Sequence, residues 1–511
     1  MADTGGLAAY LSARAADASG ESVAASAAYA RALDAEPDNA LIAIRAYRES
    51  LDAGDDVLAR RAAAVLDKAG VAPADAALLP LAQAARAGDA AAAQRAAARL
   101  TGGPLRILVP SLLGWIAFSQ GVDASGALDA ASGDALSRRL ATETRALLLI
   151  ARGQTATGLA ALEAVRGGDG DLDLRLAASQ LLSGQGRRAE AAALLPGQGP
   201  LERAFRAGVP AKPTLGFAVS RLLTRVAADL GEEAAAPLLV ALTRAAITAD
   251  PTNDRARVIL ATSLARGGAP GPALSVLGQV GADAPLAGLA AATRVSILNG
   301  AGRTAEALPA ARARAEAPDA SPNDWQRYGD LLATAERFDE AARWYKRAVD
   351  AAPNSWSAWM QYGGALDRGG RWPEARAALE RAVALGPTEP LALNYLGYAR
   401  IARGEAVPAS AKLLERASAL DPDNAAITDS LGWAYYLTGQ TTRALPLIER
   451  AAAAQPGDAD IGEHLGDVYW SLGRRYEARY AWRAAALGAE GDVAARLTGK
   501  IASGLPSRRD R

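Results

Sequence analysis

The chain has 511 residues, too many for one compact core, so several domains or a repeating array are expected. Half of it is apolar, mostly alanine, with 5% aromatic residues, a composition that favours closely approaching helices. The 56 basic and 56 acidic residues balance, which gives no reason to expect a nucleic acid; no Cys and a single histidine, His464, remove thiol chemistry, disulfides and the usual zinc sites.

The start, Met1-Ala2-Asp3-Thr4-Gly5, carries neither the basic flank nor the apolar segment of a signal peptide. A cytoplasmic chain and a mature form with a signal removed both fit it. No apolar run reaches the roughly 18 residues of a membrane span. Ala13, Ala25, Tyr29, Ala32 and Pro37 follow a spacing that recurs in full downstream, closing on Pro37-Asp38-Asn39. Residues 41 to 195 alternate helix-length segments with turns such as Gly54-Asp55, Gly88-Asp89 and Gly153-Gln154, and are expected to be degenerate helical hairpins. The densest Pro/Gly stretch, from Pro196 to Pro213, is the expected boundary or hinge. Helices resume near Phe217 and reach a closure at Asp250-Pro251-Thr252-Asn253.

From there a strict clock runs. Ala273, Ala307, Ala341, Ala375, Ser410, Ala444 and Ala478 are spaced 34 or 35 residues apart. Gly329, Gly363, Gly397, Gly432 and Gly466 share the period, as do Pro353, Pro387, Pro422 and Pro456. Each unit reads as two amphipathic helices around a polar turn. The Gly and the first Ala stand where the helices cross, and Trp325, Tyr328, Leu332 and Tyr345 (then Trp359, Tyr362, Leu366 and Leu379) fill the space between. Proline closes the second helix because it cannot continue one, and an Asp or Asn caps the next. After the last unit, Val493, Leu497 and Ile501 share one face of a helix that would cover the exposed end, and Arg508-Arg509-Asp510-Arg511 is expected to be a disordered tail.

These positions match the tetratricopeptide signature, most fully from Asn323 to Pro353. The expected fold is therefore all-α, a right-handed α-solenoid of tetratricopeptide helical hairpins. Its parts are degenerate hairpins over 1–195, a Pro/Gly break over 196–217, a regular array over 218–490, and a capping helix with a basic tail over 491–511.

Chemistry is sparse. His464 has no second His or Cys with which to share a metal and reads as a structural or surface residue. Asp169-Gly170-Asp171-Leu172-Asp173 resembles the opening of a calcium loop, but Leu174 and Gln180 stand where its Gly and closing Glu should be, so it reads as an acidic turn. Gly499-Lys500 lacks the upstream glycine of a phosphate loop. No nucleophile, base and orienting group assemble, so no enzyme, metal or cofactor is expected. In tetratricopeptide arrays the first helix of each unit lines a concave groove. Carried onto this chain, that resemblance places Met360, Asn394, Tyr398, Asp429, Trp433, Tyr436, Glu463 and Trp470 in the groove, with Asp330 and Asp467 beside them. Trp433 and Trp470 fall off the core positions of the signature. They are expected to bind an extended or helical peptide, the alternative being packing against the N-terminal half or a second copy.

The stretch from Asp429 to Tyr436, followed by Glu463 to Trp470, is similar to the C-terminal repeats of proteobacterial cell-envelope tetratricopeptide proteins. Among these are lipoprotein partners of carboxyl-terminal processing proteases, which tether the protease and deliver substrates. The extra residue in the unit ending at Pro422 fits that group, whereas the chain has no Cys to carry a lipid. The resemblance implies a periplasmic scaffold or adaptor that binds a protein partner, a cell-envelope protease among the candidates. A cytoplasmic assembly factor and a glycan- or peptidoglycan-associated protein, with Trp433 and Trp470 stacking on sugars, are the alternatives.

Overall fold

The computed structural model describes residues 4–131, 134–165, 171–231 and 236–505, and all regular structure among them is helical. The tail at Arg508–Arg511 and Asp169-Gly170 of the acidic turn lie outside the described residues. No helix among the described residues is long and apolar enough to cross a membrane. The chain forms two compact units, residues 1–314 and 315–511.

The first unit runs α1 (Thr4–Ala18), α2 (Ser22–Ala35), α3 (Ala40–Ala53), α4 (Asp56–Lys68), α5 (Leu78–Ala87), α6 (Ala90–Ala98), α7 (Val109–Ser119), α8 (Ser125–Asp129), α9 (Ala135–Ala151) and α10 (Thr155–Ala164). It continues with α11 (Asp171–Gly184), α12 (Arg188–Ala193), α13 (Pro200–Arg206), α14 (Leu215–Leu230), α15 (Ala236–Ala249), α16 (Asp254–Arg266), α17 (Pro270–Leu277), α18 (Ala287–Gly300) and α19 (Thr304–Glu316). The expected caps start several of these. Asn39 accepts from the Leu41 and Ile42 N–H groups, Asp55 from Leu58, Asp89 from Ala92 and Asn253 from Ala256. Helices α1 to α12 pair in sequence, as degenerate hairpins should.

The α14–α15 hairpin breaks that pattern. It packs against α3, α5, α7 and α11, the first helices of four pairs, and reaches α9 through an Arg225–Glu143 ion pair of 3.0 Å in which both residues are buried. Arg244 donates to the Leu51 and Asp52 carbonyls at the end of α3, at 2.8 and 2.9 Å. A Cβ on Gly216 would stand 2.6 Å from the Ala249 carbonyl, so only glycine lets α14 lie this close to α15. The inner face of the first unit is thus filled by its own chain.

Two boundaries differ from the sequence reading. The compact units divide after Arg314, not within 196–217, and α14–α15 belongs to the first unit rather than opening the regular array. The stretch from Pro196 to Pro213 is pinned instead of forming a break. Leu201 and Phe205 are buried with Leu176, Leu195 and Leu286, Glu202 accepts from Arg175 at 3.0 Å and from the Gly197 N–H at 3.2 Å, and the Ala211 N–H donates to the Gln180 carbonyl at 3.0 Å. Proline interrupts the helices here, but apolar burial and paired backbone groups fix the chain.

The second unit is regular. Its helices are α20 (Pro322–Thr334), α21 (Phe338–Ala351), α22 (Trp356–Arg368), α23 (Trp372–Leu385), α24 (Pro390–Ile401), α25 (Val407–Leu420), α26 (Ala425–Leu437), α27 (Thr441–Ala454), α28 (Ala459–Ser471), α29 (Arg475–Ala486) and α30 (Gly491–Ser503). The periodic glycines sit at the crossings. A Cβ at Gly329 would approach Tyr345 to 2.7 Å, at Gly363 Leu379 to 2.7 Å, at Gly397 Leu414 to 2.9 Å and at Gly432 Ile448 to 2.5 Å, and at Gly466 it would strike Trp482. A further glycine series turns each hairpin with positive φ (Gly370, Gly404, Gly439, Gly473), and Glu336 adopts φ 58° at the corresponding place. Helix α30 closes the end, with Leu497 fully buried and Val493 and Ile501 packed beside Trp482.

Candidate functional site: the inner face of the second unit

Side chains of successive first helices meet along one face. Gln326 of α20 donates to Gln361 of α22 at 2.8 Å, and Gln361 donates back to Asp330 at 3.0 Å. Tyr395 of α24 donates to Asp367 of α22 at 3.4 Å. His464 of α28 joins Asp429 of α26, Nδ1 to Oδ2, at 2.7 Å. Arg496 and Lys500 of α30 close the row on Glu463 and Asp467 at 2.6 to 3.0 Å. These contacts span 28 to 35 residues because each helix presents the same face about one repeat later.

The structure divides the sequence-predicted residues into two groups. Met360, Asn394, Tyr398 and Trp433 are half-buried on this face. Trp433 lies flat on His464, ring centroids 3.9 Å apart at 14°, and stacks on Tyr436 at 4.8 Å. Of the other four, Tyr436, Asp429 and Glu463 are buried and Trp470 is half-buried against its own neighbours. Tyr436 is 9% exposed and belongs to the core below Trp433. Asp429 is buried against His464, and Glu463 is buried under Arg496 and Lys500. Trp470 packs on Trp482 at 5.4 Å and against Gly504, with Arg475 and Arg479 over its ring. It is half-buried, packed by the capping segment of its own unit. The signature could not reveal this, since α30 lies outside the repeat. His464, set aside in the sequence as structural, joins the face; its 35-residue offset from Asp429 was the available signal.

The electrostatics follow the same division. Burial pushes Glu463 up, but the hydrogen bonds of Arg496 and Lys500 outweigh it and hold the carboxyl at about 2. Asp467 shares Lys500 yet is shifted upward, because burial dominates there. Burial raises Tyr395 to about 12, with Asp367 adding to the shift. Tyr398 is raised by burial and then by Asp429, Asp460 and Glu463, so its hydroxyl stays protonated in an acidic surrounding. Two acceptors are unspent: Asn394 Oδ1 and Asp429 Oδ1 have no hydrogen-bond partner among the described residues. No group of three or more His, Cys, Asp or Glu that could hold a metal occurs among the described residues.

Helical hairpins that recur on one period and present their first helices to a shared face define an α-solenoid. The regular repeats are tetratricopeptide repeats: residues 327–390 and 396–459 match that family's model. Tetratricopeptide-repeat proteins in general mediate protein–protein interactions. No curated protein matches the chain. Among solved structures, the MamA protein is 26% identical, covering 36% of this chain and 97% of its own, with a TM-score of 0.28. A thermophilic tetratricopeptide-repeat protein of Thermus thermophilus is 23% identical over 36% of this chain and 98% of its own, TM-score 0.33. An APC/C hetero-tetramer covers 98% of this chain and 97% of its own at 16% identity, TM-score 0.40.

Proposed function

We propose that this chain is a non-catalytic scaffold that grips a protein partner on the inner face of its second unit, between α22 and α28. One contrast carries the reading. The first unit fills its own inner face with α14–α15, whereas among the described residues of the second unit only α28, the last first helix, is covered, by α30. Half-buried Tyr398 and Trp433 supply rigid apolar contact area at low entropy cost, and half-buried Met360 and Asn394 lie on the same face. An adaptor role in the cell envelope, with a protease as the partner, rests on the resemblance of the C-terminal repeats alone. The test is a photo-crosslinking residue placed at Met360 in the producing cell. Adducts to one partner that vanish with Asn394→Ala/Tyr398→Ala are expected. No adduct, or one indifferent to the double variant, refutes the assignment. Cell fractionation of the same strain checks the compartment.

A further inference from the structure

A second surface lies on the outer side of the last hairpin. On α29, Tyr476 and Tyr480 are 83% and 72% exposed, and Leu487, just beyond the helix on the same stripe, is 91% exposed. In the first regular repeat the same places hold Asp339, Arg343 and Asp350, and no other repeat puts a large apolar residue at any of them. Three water-facing positions have changed together in one repeat only, and single exposed apolar residues do not do that.

Beside the stripe runs an open groove of about 420 Å³, floored by Leu465 and Tyr469 of α28 and walled by Ala452 and Pro456. Gly462 also lines it, at the place where α20 and α22 carry Trp325 and Trp359. Those indoles donate to the Ala315 and Pro353 carbonyls, each 3.0 Å away, and fill the seam between hairpins. The last hairpin lacks this filler. The two carboxylates lining the groove are already engaged: Glu477 pairs with Arg474, and Asp458 caps α28. Arg475, which reaches over the Trp470 ring, and Arg483 are exposed on or beside the stripe and have no carboxylate partner among the described residues. With Glu477 and Arg474 neutralising each other, the two arginines outnumber Asp458, and the surface carries a net positive charge.

We propose that this face docks an acidic amphipathic helix of another protein. The helix seats one indole- or leucine-sized side chain beside Gly462, lies along Tyr476, Tyr480 and Leu487, and sets carboxylates on Arg475 and Arg483. Tyrosine and arginine around an unfilled pocket make the composition of a binding hot spot. A second copy of this chain fits less well, because two α29 helices meeting antiparallel about a two-fold axis would oppose their arginine rows. The surface shares none of the inner-face residues and stands or falls apart from them.

The probe is a labelled 16-residue helical peptide with Trp and Leu four apart on one face and three Glu along its flank, titrated into the full chain by fluorescence anisotropy at low salt. Saturable binding is expected, weakened about tenfold or more by Tyr476→Ser/Tyr480→Ser, which leaves melting unchanged because both rings are exposed. Arg475→Glu/Arg483→Glu should lose the acidic peptide and gain its Glu-to-Lys counterpart, while Trp433→Ala changes neither. Absent binding, equal binding of acidic and basic peptides, or indifference to both double variants overturns the proposal. So does a dimer in sedimentation that the tyrosine variant converts to monomer, since a second copy would then own the face.

Discussion

Gly363 offers the sharpest test of how the second unit is packed. A methyl placed there would stand 2.7 Å from Leu379 Cγ, 2.9 Å from its Cδ2 and 3.2 Å from the Ala375 carbonyl. Leu379 is fully buried, so it cannot swing away. Gly363→Ala gains about 1 kcal/mol of helix propensity but incurs about 1 to 3 kcal/mol of overpacking, a net loss of up to about 2 kcal/mol. Leu379→Ala alone should cost about 2 to 5 kcal/mol through lost burial and a cavity. Combined, the new methyl grows into the space that Leu379 leaves, so the double variant should be more stable than the sum of the singles by about 1 to 3 kcal/mol. Eight of the nine tryptophans lie in the second unit, so the shift of tryptophan fluorescence in urea reports its unfolding. A Gly363→Ala variant more stable than the parent, with strictly additive effects in the cycle, would refute the crossing. The bulkier Gly363→Leu should unfold its own repeat and loosen both neighbours.

Four further outcomes follow from the geometry. Trp470→Ala should lower the stability of the second unit by about 2 kcal/mol in the same assay, because the ring packs on Trp482 and the capping segment and its removal leaves a cavity. Glu336→Gly should raise stability by about 1 kcal/mol by relieving a left-handed non-glycine turn, read as a higher urea midpoint. The Glu463 carboxyl is held at about 2 against an ordinary 4.5, so its contribution is complete above pH 4.5 and fades as pH falls through 2. The stability gap between parent and Glu463→Gln should close over that window in acid titration. In the first unit, Arg225→Met leaves the buried Glu143 carboxylate with Arg139 alone and should cost about 1 to 3 kcal/mol, seen as earlier loss of helical circular dichroism with little change in the tryptophan transition.

Much of the second unit was legible in the sequence. The crossing glycines, the closing prolines, the Asn and Asp caps and the Val493–Leu497–Ile501 face all act between neighbours one helix or one repeat apart, so a 34-residue period records them. The inner face was legible by position but not by exposure. Met360, Asn394, Tyr398 and Trp433 stand where the repeat register puts them, half-buried, whereas Tyr436 sinks into the core, α30 claims Glu463 and Trp470, and His464 slides under Trp433. Register gives the direction of a side chain, and what lies over it depends on helices outside the repeat. The tertiary structure alone decided the arrangement of the first unit. Arg244 meets the Leu51 carbonyl across 193 residues of sequence, and the Pro/Gly stretch from Pro196 to Pro213 leads into the hairpin that makes this contact rather than a hinge. A hairpin docked into the curve of distant helices is held by the shape of a face that many residues build together, and no local spacing encodes that shape.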